Sequence, residues 1–420
     1  MYDVTDPKLW RRNSHTFVAS AWVSMFGTSI VQFALTWYIA AQTGSGSAMA
    51  WAMICGFGPS VVITPLAGVW ADKVDRRVMV VVGDALAALS TLVLMLVMLQ
   101  GASSLAWVYG AMALRSVGSA IQSPATMALV PRAVPQEGLN YINSLWGAAN
   151  ASVTLLSPIV GAWVLNMMPL AWVLSIDVIT ALLGTSIFWF CVKVDGRPPK
   201  DEVGRGNRMA DGLRYLLGDP LLRGLFVFSF VAMCFVAGLN TAFPLRVVRH
   251  FGTDPWYMSA LQTMMGLGSL IGGLVAAKFP YKKNQPMAAV ATFTVLLGLT
   301  MVGIGLSSPL ALAMAFSFLM GLALIYIQIP TNTLLFSATD QAQMGKVGAL
   351  FMCSTSLTMP LGGAFFGWLS DLLPAGVIIA LCGLGMVACG LLVRLNAALY
   401  GYHLSSDQQD SEPSAPNPQV

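Results

Sequence analysis

The chain has 420 residues, of which 56% are hydrophobic and only 10% are charged, and its mean hydropathy is +0.72. A soluble fold of this length cannot hide so much apolar surface, so the composition excludes a water-soluble protein and predicts one that crosses a membrane repeatedly. The net charge of +4 is small, and its distribution along the chain is more informative than its sign.

Apolar stretches long enough to span a bilayer follow one another along nearly the whole chain, separated by short segments rich in Gly, Pro or charge. The first stretch follows Arg11 and Arg12 and is too long for the apolar part of a signal peptide, so we expect it to be retained. We predict an all-α membrane protein with twelve transmembrane helices, near residues 14–42, 47–71, 78–100, 104–128, 143–168, 170–192, 221–247, 256–279, 286–306, 309–336, 345–373 and 376–399.

The positions of the 22 Lys and Arg residues indicate how these helices are oriented. With a cytoplasmic N-terminus, all of them fall in cytoplasmic segments except Arg246 and Arg249, at an outer helix end, and Arg115, inside a helix. Because basic residues are enriched on the cytoplasmic side, this asymmetry predicts that both termini are cytoplasmic, in the plasma (inner) membrane. The positive charge is therefore a topology signal, and we expect no nucleic-acid partner.

The longest hydrophilic segment divides six predicted helices from six. The organisation that we predict is a cytoplasmic N-terminus (1–13), an N-terminal six-helix bundle (14–192), a solvated cytoplasmic linker (193–219), a C-terminal six-helix bundle (220–400) and a disordered cytoplasmic tail (401–420).

Two short motifs recur in the same order, just over two hundred residues apart. The repeated pairs are Gln122-Ser-Pro124 with Gln328-Ile-Pro330, and Ser157-Pro158-Ile-Val-Gly161 with Met359-Pro360-Leu-Gly-Gly363. The repeats predict two pseudo-symmetric halves that rock against each other around a substrate site between them.

The segment between the second and third predicted helices reads Gly68-Val-Trp-Ala-Asp72-Lys73-Val-Asp75-Arg76-Arg77. Gly68 would let two helices approach closely, and Asp72 is placed to cap or pair with a neighbouring helix end. Arg76 and Arg77 would anchor the next helix at the inner headgroups. The segment resembles the signature loop of the major facilitator superfamily, with Asp75 in place of the loop's second Gly. An acidic residue there is similar to the drug:proton antiporters that include macrolide-efflux proteins and enterobactin exporters.

Two further motifs carry the resemblance. The stretch Ala113-Leu114-Arg115-Ser-Val-Gly118 resembles the family's conserved-arginine motif. The stretch Ser157-Pro158-Ile-Val-Gly161-Ala162 resembles the Gly-Pro-x-x-Gly motif of its antiporters, with Ser157 and Ala162 at two glycine positions. The resemblance implies a secondary transporter without a cofactor that exports amphipathic small molecules, such as macrolide-like drugs or siderophores, in exchange for protons.

Arg115 falls in the middle of a predicted helix, where a guanidinium is costly unless it faces a protein interior or an aqueous cavity and has a partner. Ser119, Gln122 and Thr126 share its helical face, which we interpret as the lining of a cavity. The alternative is that Arg115 is a buried structural residue that ties helices together.

Asp84 and Asp177 are the two carboxylates that lie well inside predicted helices. Together with Arg115 they are the candidates for proton coupling, because a desolvated carboxylate near an arginine can gain and lose a proton as its surroundings change. For Asp84 the alternative is structural pairing with Arg115 or with a helix end. For Asp177 the alternative is a polar anchor toward the outer side.

Neutral polar residues supply the candidates for substrate contact. On the first helix, Ser24, Thr28, Gln32 and Thr36 recur every four residues, and we expect this stripe to face a central cavity. Besides Gln32, Thr36, Ser119 and Gln122, the candidates on later helices are Asn240, Gln262, Tyr326, Gln328 and Asn332. Because every mid-membrane charge lies in the first half, we hypothesise that the first half handles protons and the second contributes shape and amide contacts.

The six cysteines and three histidines show no metal-ligand spacing, and no nucleophile triad, phosphate loop or dinucleotide fingerprint occurs. We therefore predict neither an enzyme nor a metal or cofactor site. The expected partners of a monomeric chain are a small-molecule substrate, protons and the lipid bilayer. Two alternatives remain open: an uptake symporter, which predicts a more polar and charged cavity, and a non-transporting membrane sensor, which predicts a folded soluble module.

Overall fold

The computed structural model describes residues 7–71, 73–101, 104–194, 196, 209–278, 286–340 and 343–396. Within them the chain forms thirteen α-helices: α1 (Pro7–Thr43), α2 (Gly46–Ala71), α3 (Arg76–Leu99), α4 (Leu105–Ala133), α5 (Leu139–Met167), α6 (Leu170–Cys191), α7 (Met209–Gly218), α8 (Pro220–Arg246), α9 (Pro255–Lys278), α10 (Pro286–Leu306), α11 (Leu310–Ala338), α12 (Met344–Leu372) and α13 (Ala375–Leu395).

Eleven of these helices are long and apolar enough to cross a membrane. The short helix α7 is not, and neither by composition is α4, because Arg115 and Gln122 lower the mean hydropathy of its 29 residues. Since α3 and α5 both span the bilayer, α4 has to return the chain between them, and it is long enough to do so. The prediction of an all-α fold with twelve transmembrane helices is confirmed.

The long helices form two halves. Helices α1 to α6 pack on one another, as do α8 to α13, and the halves meet mainly where α2 packs on α12 and α5 on α9. The repeated prolines occupy matching helices: Pro124 lies inside α4 and Pro330 inside α11, and Pro158 lies inside α5 and Pro360 inside α12. This correspondence is what a duplicated six-helix unit predicts.

A close crossing of α3 and α4 positions the polar interior of the first half. A Cβ atom added to Gly83 would lie 2.6 Å from the carbonyl oxygen of Gly118, so a side chain at this point would hold the two helices apart. Small residues at such crossings let helix backbones approach closely in a membrane. Asp84, the next residue along α3, is thereby brought against α4.

The first helix starts earlier than predicted. It begins at Pro7, whereas the predicted helix began at residue 14. The helical turns before residue 14 form because they pack onto the rest of the protein. Trp10 is 8% exposed and its ring lies edge-on to Tyr141, with centroids 5.7 Å apart. Asn13 binds the backbone of Lys193 through both its side-chain oxygen and nitrogen.

The segment between the halves contains a helix that the sequence analysis did not predict. In α7, Leu216 is fully buried and the Tyr215 hydroxyl accepts a hydrogen bond of 3.2 Å from the backbone N–H of Asp340. This helix therefore packs on the second half. The remainder of the predicted linker up to residue 208, apart from 193, 194 and 196, and the predicted tail from 401 to 420 lie outside the described residues.

Candidate functional site

The bundle of helices has two ends. The Gly44 end is the one where α1 ends and α2 begins, and the Arg76 end is the one where α2 ends and α3 begins.

A cavity of about 360 Å³ lies between the two halves. Gln32, Thr36, Asn240 and Gln262, all predicted to contact substrate, contribute polar groups from both halves to its lining. Much of the remaining wall is apolar and includes Met49, Met53, Phe57, Met112, Phe243 and Met258. Amide and hydroxyl groups on an apolar wall form a surface that suits an amphipathic small molecule.

The motif that resembles an antiporter sequence lies on this cavity. Ser157 and Pro158 line it, and the buried Ser157 hydroxyl has no hydrogen-bond partner among the described residues. One turn further along α5, a Cβ atom added to Gly161 would lie 2.7 Å from the ring of Phe33, so Gly161 allows α1 and α5 to pack closely. The motif thus joins a close helix contact to an available hydroxyl.

The other predicted substrate contacts lie elsewhere. Ser119 and Gln122 line a second cavity inside the first half. Tyr326 is 8% exposed and stacks on Phe293, with ring centroids 4.4 Å apart. Gln328 and Asn332 are exposed and line neither of these two cavities. The sequence prediction grouped these residues because each is a polar group inside an apolar helix, a property that does not reveal which neighbour the residue faces.

A buried ion pair joins Arg115 to Asp177, and both side chains are almost fully buried, 6% and 2% exposed. The Thr28 hydroxyl donates a hydrogen bond of 3.0 Å to one carboxylate oxygen of Asp177, and the Thr91 hydroxyl donates one of 2.8 Å to the other. Arg115 also contacts the Thr91 hydroxyl and donates to the backbone carbonyl of Thr28 at 3.3 Å. The network connects α1, α3, α4 and α6, and the charges of its two ionised groups cancel.

Asp84 is also buried, at 8% exposure, but its surroundings differ. It accepts hydrogen bonds from the Ser24 hydroxyl at 3.0 Å, the Gln122 amide at 2.7 Å and the Thr185 hydroxyl at 3.2 Å. All three donors are neutral, and no cationic side chain in the described part of the chain forms an ion pair with Asp84. The pairing of Arg115 with Asp84, which the sequence analysis gave as an alternative, is therefore wrong, and the partner of Arg115 is Asp177.

The polar stripe of α1 is divided between two environments. Gln32 and Thr36 face the cavity between the halves, as expected, but Ser24 binds Asp84 and Thr28 binds Asp177 inside the first half. The prediction that the whole stripe faces one central cavity is wrong because α1 packs on α6 along the part that carries Ser24 and Thr28.

The segment that resembles the signature loop is only partly described, and Asp72 lies outside the described residues. The Asp75 carboxylate caps α3 by accepting a hydrogen bond of 2.8 Å from the backbone N–H of Arg77. A Cβ atom added to Gly68 would meet no atom within 4 Å. The expected close helix approach at Gly68 is therefore absent among the described residues in this state, because the second half does not pack there.

The two arginines of this segment contact the protein. Arg76 is only 6% exposed and donates hydrogen bonds to the carbonyl oxygens of Ala71, at 2.9 Å, and Ala128, at 3.4 Å. Arg77 donates to the carbonyl of Trp189 at 2.7 Å. The predicted headgroup contact is wrong for Arg76, because its buried guanidinium binds carbonyl oxygens of α2 and α4 instead.

Two charged residues join the halves at the Gly44 end. Asp371, in α12, accepts hydrogen bonds from the backbone N–H groups of Gly46, at 2.6 Å, and Ser47, at 2.8 Å. Arg249 donates to the carbonyl oxygens of Gly44, at 2.6 Å, and Ser370, at 3.0 Å. Sequence reasoning used Arg249 only as a topology marker and missed Asp371, although the Gly44 to Ser47 turn signalled a helix start that an acidic residue can cap.

A bundle of twelve membrane helices in two halves, with a polar and apolar cavity between them, defines a membrane transporter. The sequence model of the Major Facilitator Superfamily matches residues 17–363, and the chain belongs to this superfamily. The resemblance inferred from its motifs is confirmed.

Two bacterial exporters are among its relatives. The chain is 26% identical to macrolide efflux protein A of Streptococcus pyogenes over 361 residues, and the aligned region covers 84% of this chain and 88% of that protein. It is 21% identical to the enterobactin exporter EntS of Escherichia coli O1:K1 / APEC over 335 residues, and the aligned region covers 78% of this chain and 78% of that protein. The structure also resembles that of a POT family transporter, with a TM-score of 0.74 at 12% identity over 91% of this chain and 96% of the other, a likeness in fold alone.

Proposed function

We propose that the protein exports amphipathic small molecules, such as macrolide-like drugs or siderophores, across the inner membrane by proton antiport with alternating access. The observation that carries this proposal is the cavity between the halves, where amide and hydroxyl groups stand on an apolar wall. The similarity of the chain to macrolide efflux protein A and to an enterobactin exporter supports transport in the outward direction.

The distribution of basic residues supports an orientation in which both termini, the linker and the Arg76 end are cytoplasmic. The hydrogen bonds of Asp371 and Arg249 then close the outer side. In this state the cavity is prepared to receive substrate from the cytoplasm. One chain contains both halves, and we expect a monomer to transport.

Proton antiport needs a group that is charged in one state and neutral in another. The charge of Asp177 is balanced by Arg115, so that pair is suited to holding the helices together. Asp84 receives only neutral donors and lines a cavity, so a proton can reach and neutralise it without leaving another charge unpaired. We assign proton binding to Asp84 and a supporting electrostatic role to Arg115 and Asp177.

The cavity also helps to separate the export hypothesis from uptake symport. No charged side chain lines it among the described residues. A symporter for a small polar metabolite would need charged or densely polar contacts to replace the water that its substrate loses. An amphipathic compound fits the observed lining better.

The test measures how much of each compound accumulates in efflux-deficient cells, with and without a protonophore. The panel contains macrolides, dyes and siderophores, and the cells express the wild type, Asp84→Asn, Asp177→Asn or Arg115→Ala at matched levels. Asp211→Asn, in the exposed turn of α7, serves as the control. We expect cells that express the wild type or the control to accumulate less of these compounds. This reduction should disappear with the protonophore and in Asp84→Asn. Unchanged or higher accumulation throughout would refute export of these compounds.

A further inference from the structure

Two prolines line the cavity between the halves, Pro158 from α5 in the first half and Pro244 from α8 in the second. Proline has no backbone N–H, so the carbonyl four residues earlier in the helix loses its usual partner. The carbonyls freed in this way belong to Thr154 and Asn240, and both of these residues also line the cavity. Because each freed carbonyl lies between two lining residues one turn apart, it is part of the cavity wall.

The rest of the protein does not replace the two lost hydrogen bonds. In membrane helices a nearby side chain commonly donates to a carbonyl that proline has freed. No side chain in the described part of the chain donates to the carbonyl of Thr154 or Asn240. The buried Ser157 hydroxyl has no partner, and the Thr241 hydroxyl donates to Ala237 at 2.9 Å. A ligand that displaces water from these carbonyls therefore needs hydrogen-bond donors of its own.

A polar side chain accompanies each freed carbonyl. Ser157 precedes Pro158 and is 3% exposed. The side-chain nitrogen of Asn240 lies 4.0 Å from the Met359 sulfur, which is a weak acceptor. We call the Thr154 carbonyl with the Ser157 hydroxyl the α5 group, and the Asn240 carbonyl with its own side-chain amide the α8 group. Each group combines an acceptor with a donor, and the two groups belong to different halves.

We propose that this cavity binds an uncharged amphipathic compound with a hydroxyl at each end, one bonded to the α5 group and the other to the α8 group. A hydroxyl donates one hydrogen bond and also accepts, so it can pair with both members of a group. The apolar middle of the compound packs on side chains such as Met53, Phe57 and Phe243, which adds hydrophobic free energy.

This inference rests on the proposed function and deepens it, because it names the chemistry of the substrate at the same cavity. No charged side chain lines the cavity among the described residues, so an ionised end group would lose its hydration without gaining a partner. The volume of about 360 Å³ is within the range of small-molecule sites. A compound with two hydroxyls contacts both halves, whereas a compound with one contacts a single half.

The test uses the purified full-length protein in lipid nanodiscs, with empty nanodiscs as the background. The probes are p,p′-biphenol, its monomethyl ether and its dimethyl ether, and equilibrium dialysis measures their affinities. The ethers keep both oxygens as acceptors and lose the donors one at a time. We expect the wild type to bind the diol at least about tenfold more tightly than the dimethyl ether, with the monomethyl ether between them.

The proline variants test the freed carbonyls without changing a polar side chain. Pro158→Ala and Pro244→Ala each restore a backbone N–H that bonds the carbonyl inside the helix, so each should reduce the preference for the diol about threefold or more. Ser157→Ala removes the donor of the α5 group and should weaken binding of the diol. Pro360→Ala, at a proline inside α12 that does not line the cavity, is the matched control and should keep the wild-type preference.

Equal affinities of the wild type for the diol and the dimethyl ether would overturn the proposal, as would an unchanged preference in both Pro158→Ala and Pro244→Ala. An equal loss in Pro360→Ala would also overturn it, because the effect would then come from helix bending and not from the freed carbonyls. Binding is measured without a gradient, so a protein that prefers the diol but exports nothing refutes the transport function alone. Export without this preference refutes the site alone.

Discussion

The backbone N–H of Gly46 donates a hydrogen bond of 2.6 Å to the carboxylate of Asp371. Gly46 begins α2 in the first half, and Asp371 lies in the last turn of α12 in the second, so this bond joins the two halves of the transporter. A carboxylate at a helix N-terminus also interacts favourably with the helix dipole. The contact therefore stabilises the state that is closed at the Gly44 end.

Replacing Asp371 with Ala should shift the protein toward the state that is open at this end. The lost hydrogen bonds and helix-dipole interaction are worth about 1–2 kcal/mol for a partly exposed group, or about five- to thirtyfold in the equilibrium. Met53 is 9% exposed beneath this contact, so Met53→Cys in a variant without native cysteines serves as the reporter. A membrane-impermeant maleimide added to intact cells should label it faster in Asp371→Ala, and not in Asp211→Ala. Equal rates would show that Asp371 does not hold this end closed.

Removing either member of the Arg115 and Asp177 pair should destabilise the protein strongly. Arg115→Gln or Asp177→Asn leaves the other charge buried without a partner, at a cost of about 3–5 kcal/mol. The double variant should recover most of this loss, because it leaves neither charge. Thermal unfolding of the wild type, both single variants and the double variant completes a double-mutant cycle. Additive losses would mean that the two residues are not coupled.

The close crossing at Gly83 and Gly118 should not accept a side chain. Gly118→Val places atoms where α3 and α4 meet, and overpacking of this kind costs about 1–3 kcal/mol or more. Gly110, two turns earlier on α4, has no neighbouring atom within 4 Å of an added Cβ and makes Gly110→Val the matched control. The yield of monodisperse protein on size-exclusion chromatography should fall only for Gly118→Val. An equal fall in both would point to the helix propensity of Val instead.

Substitution of an amide should alter substrate preference only where the amide lines the cavity between the halves. Asn240 lines it, whereas Gln328 does not, although both were predicted to contact substrate. Asn240→Leu should therefore change the relative export of compounds across the panel, while Gln328→Leu should keep the wild-type order. Accumulation assays at matched expression measure both. If Gln328→Leu altered the order as much, Gln328 would contact substrate in another state of the cycle.

Sequence reasoning predicted the helices, the duplication and a partnered Arg115, because apolar length, repeated motifs and the cost of a buried guanidinium are properties of single segments. It offered Asp84 as a possible partner, whereas the structure pairs Arg115 with Asp177. Helical periodicity gives the face that a residue occupies on its own helix but not the helix that lies opposite. That information depends on how α3, α4 and α6 cross, as at Gly83 and Gly118.

The same limit explains the divided stripe of α1. Thr28 and Gln32 are one turn apart and look equivalent in the sequence, yet one binds Asp177 and the other faces the cavity between the halves. Asp371 was missed for a related reason, since its partners are backbone N–H groups more than three hundred residues away in the chain.

The absence of a cationic partner for Asp84 among the described residues has an electrical consequence. In the proposed exchange, the halves move with Asp84 protonated in one direction and ionised in the other, so a substrate with one positive charge offsets the ionised carboxylate and the exchange transfers no net charge. A neutral substrate does not offset the ionised Asp84. The outward step of the transport cycle then moves the negative charge of Asp84 through part of the membrane field, and this movement costs or supplies up to about 2.3 kcal/mol per 100 mV. One carboxylate would thus determine which cargoes draw on the membrane voltage and which draw only on the pH difference.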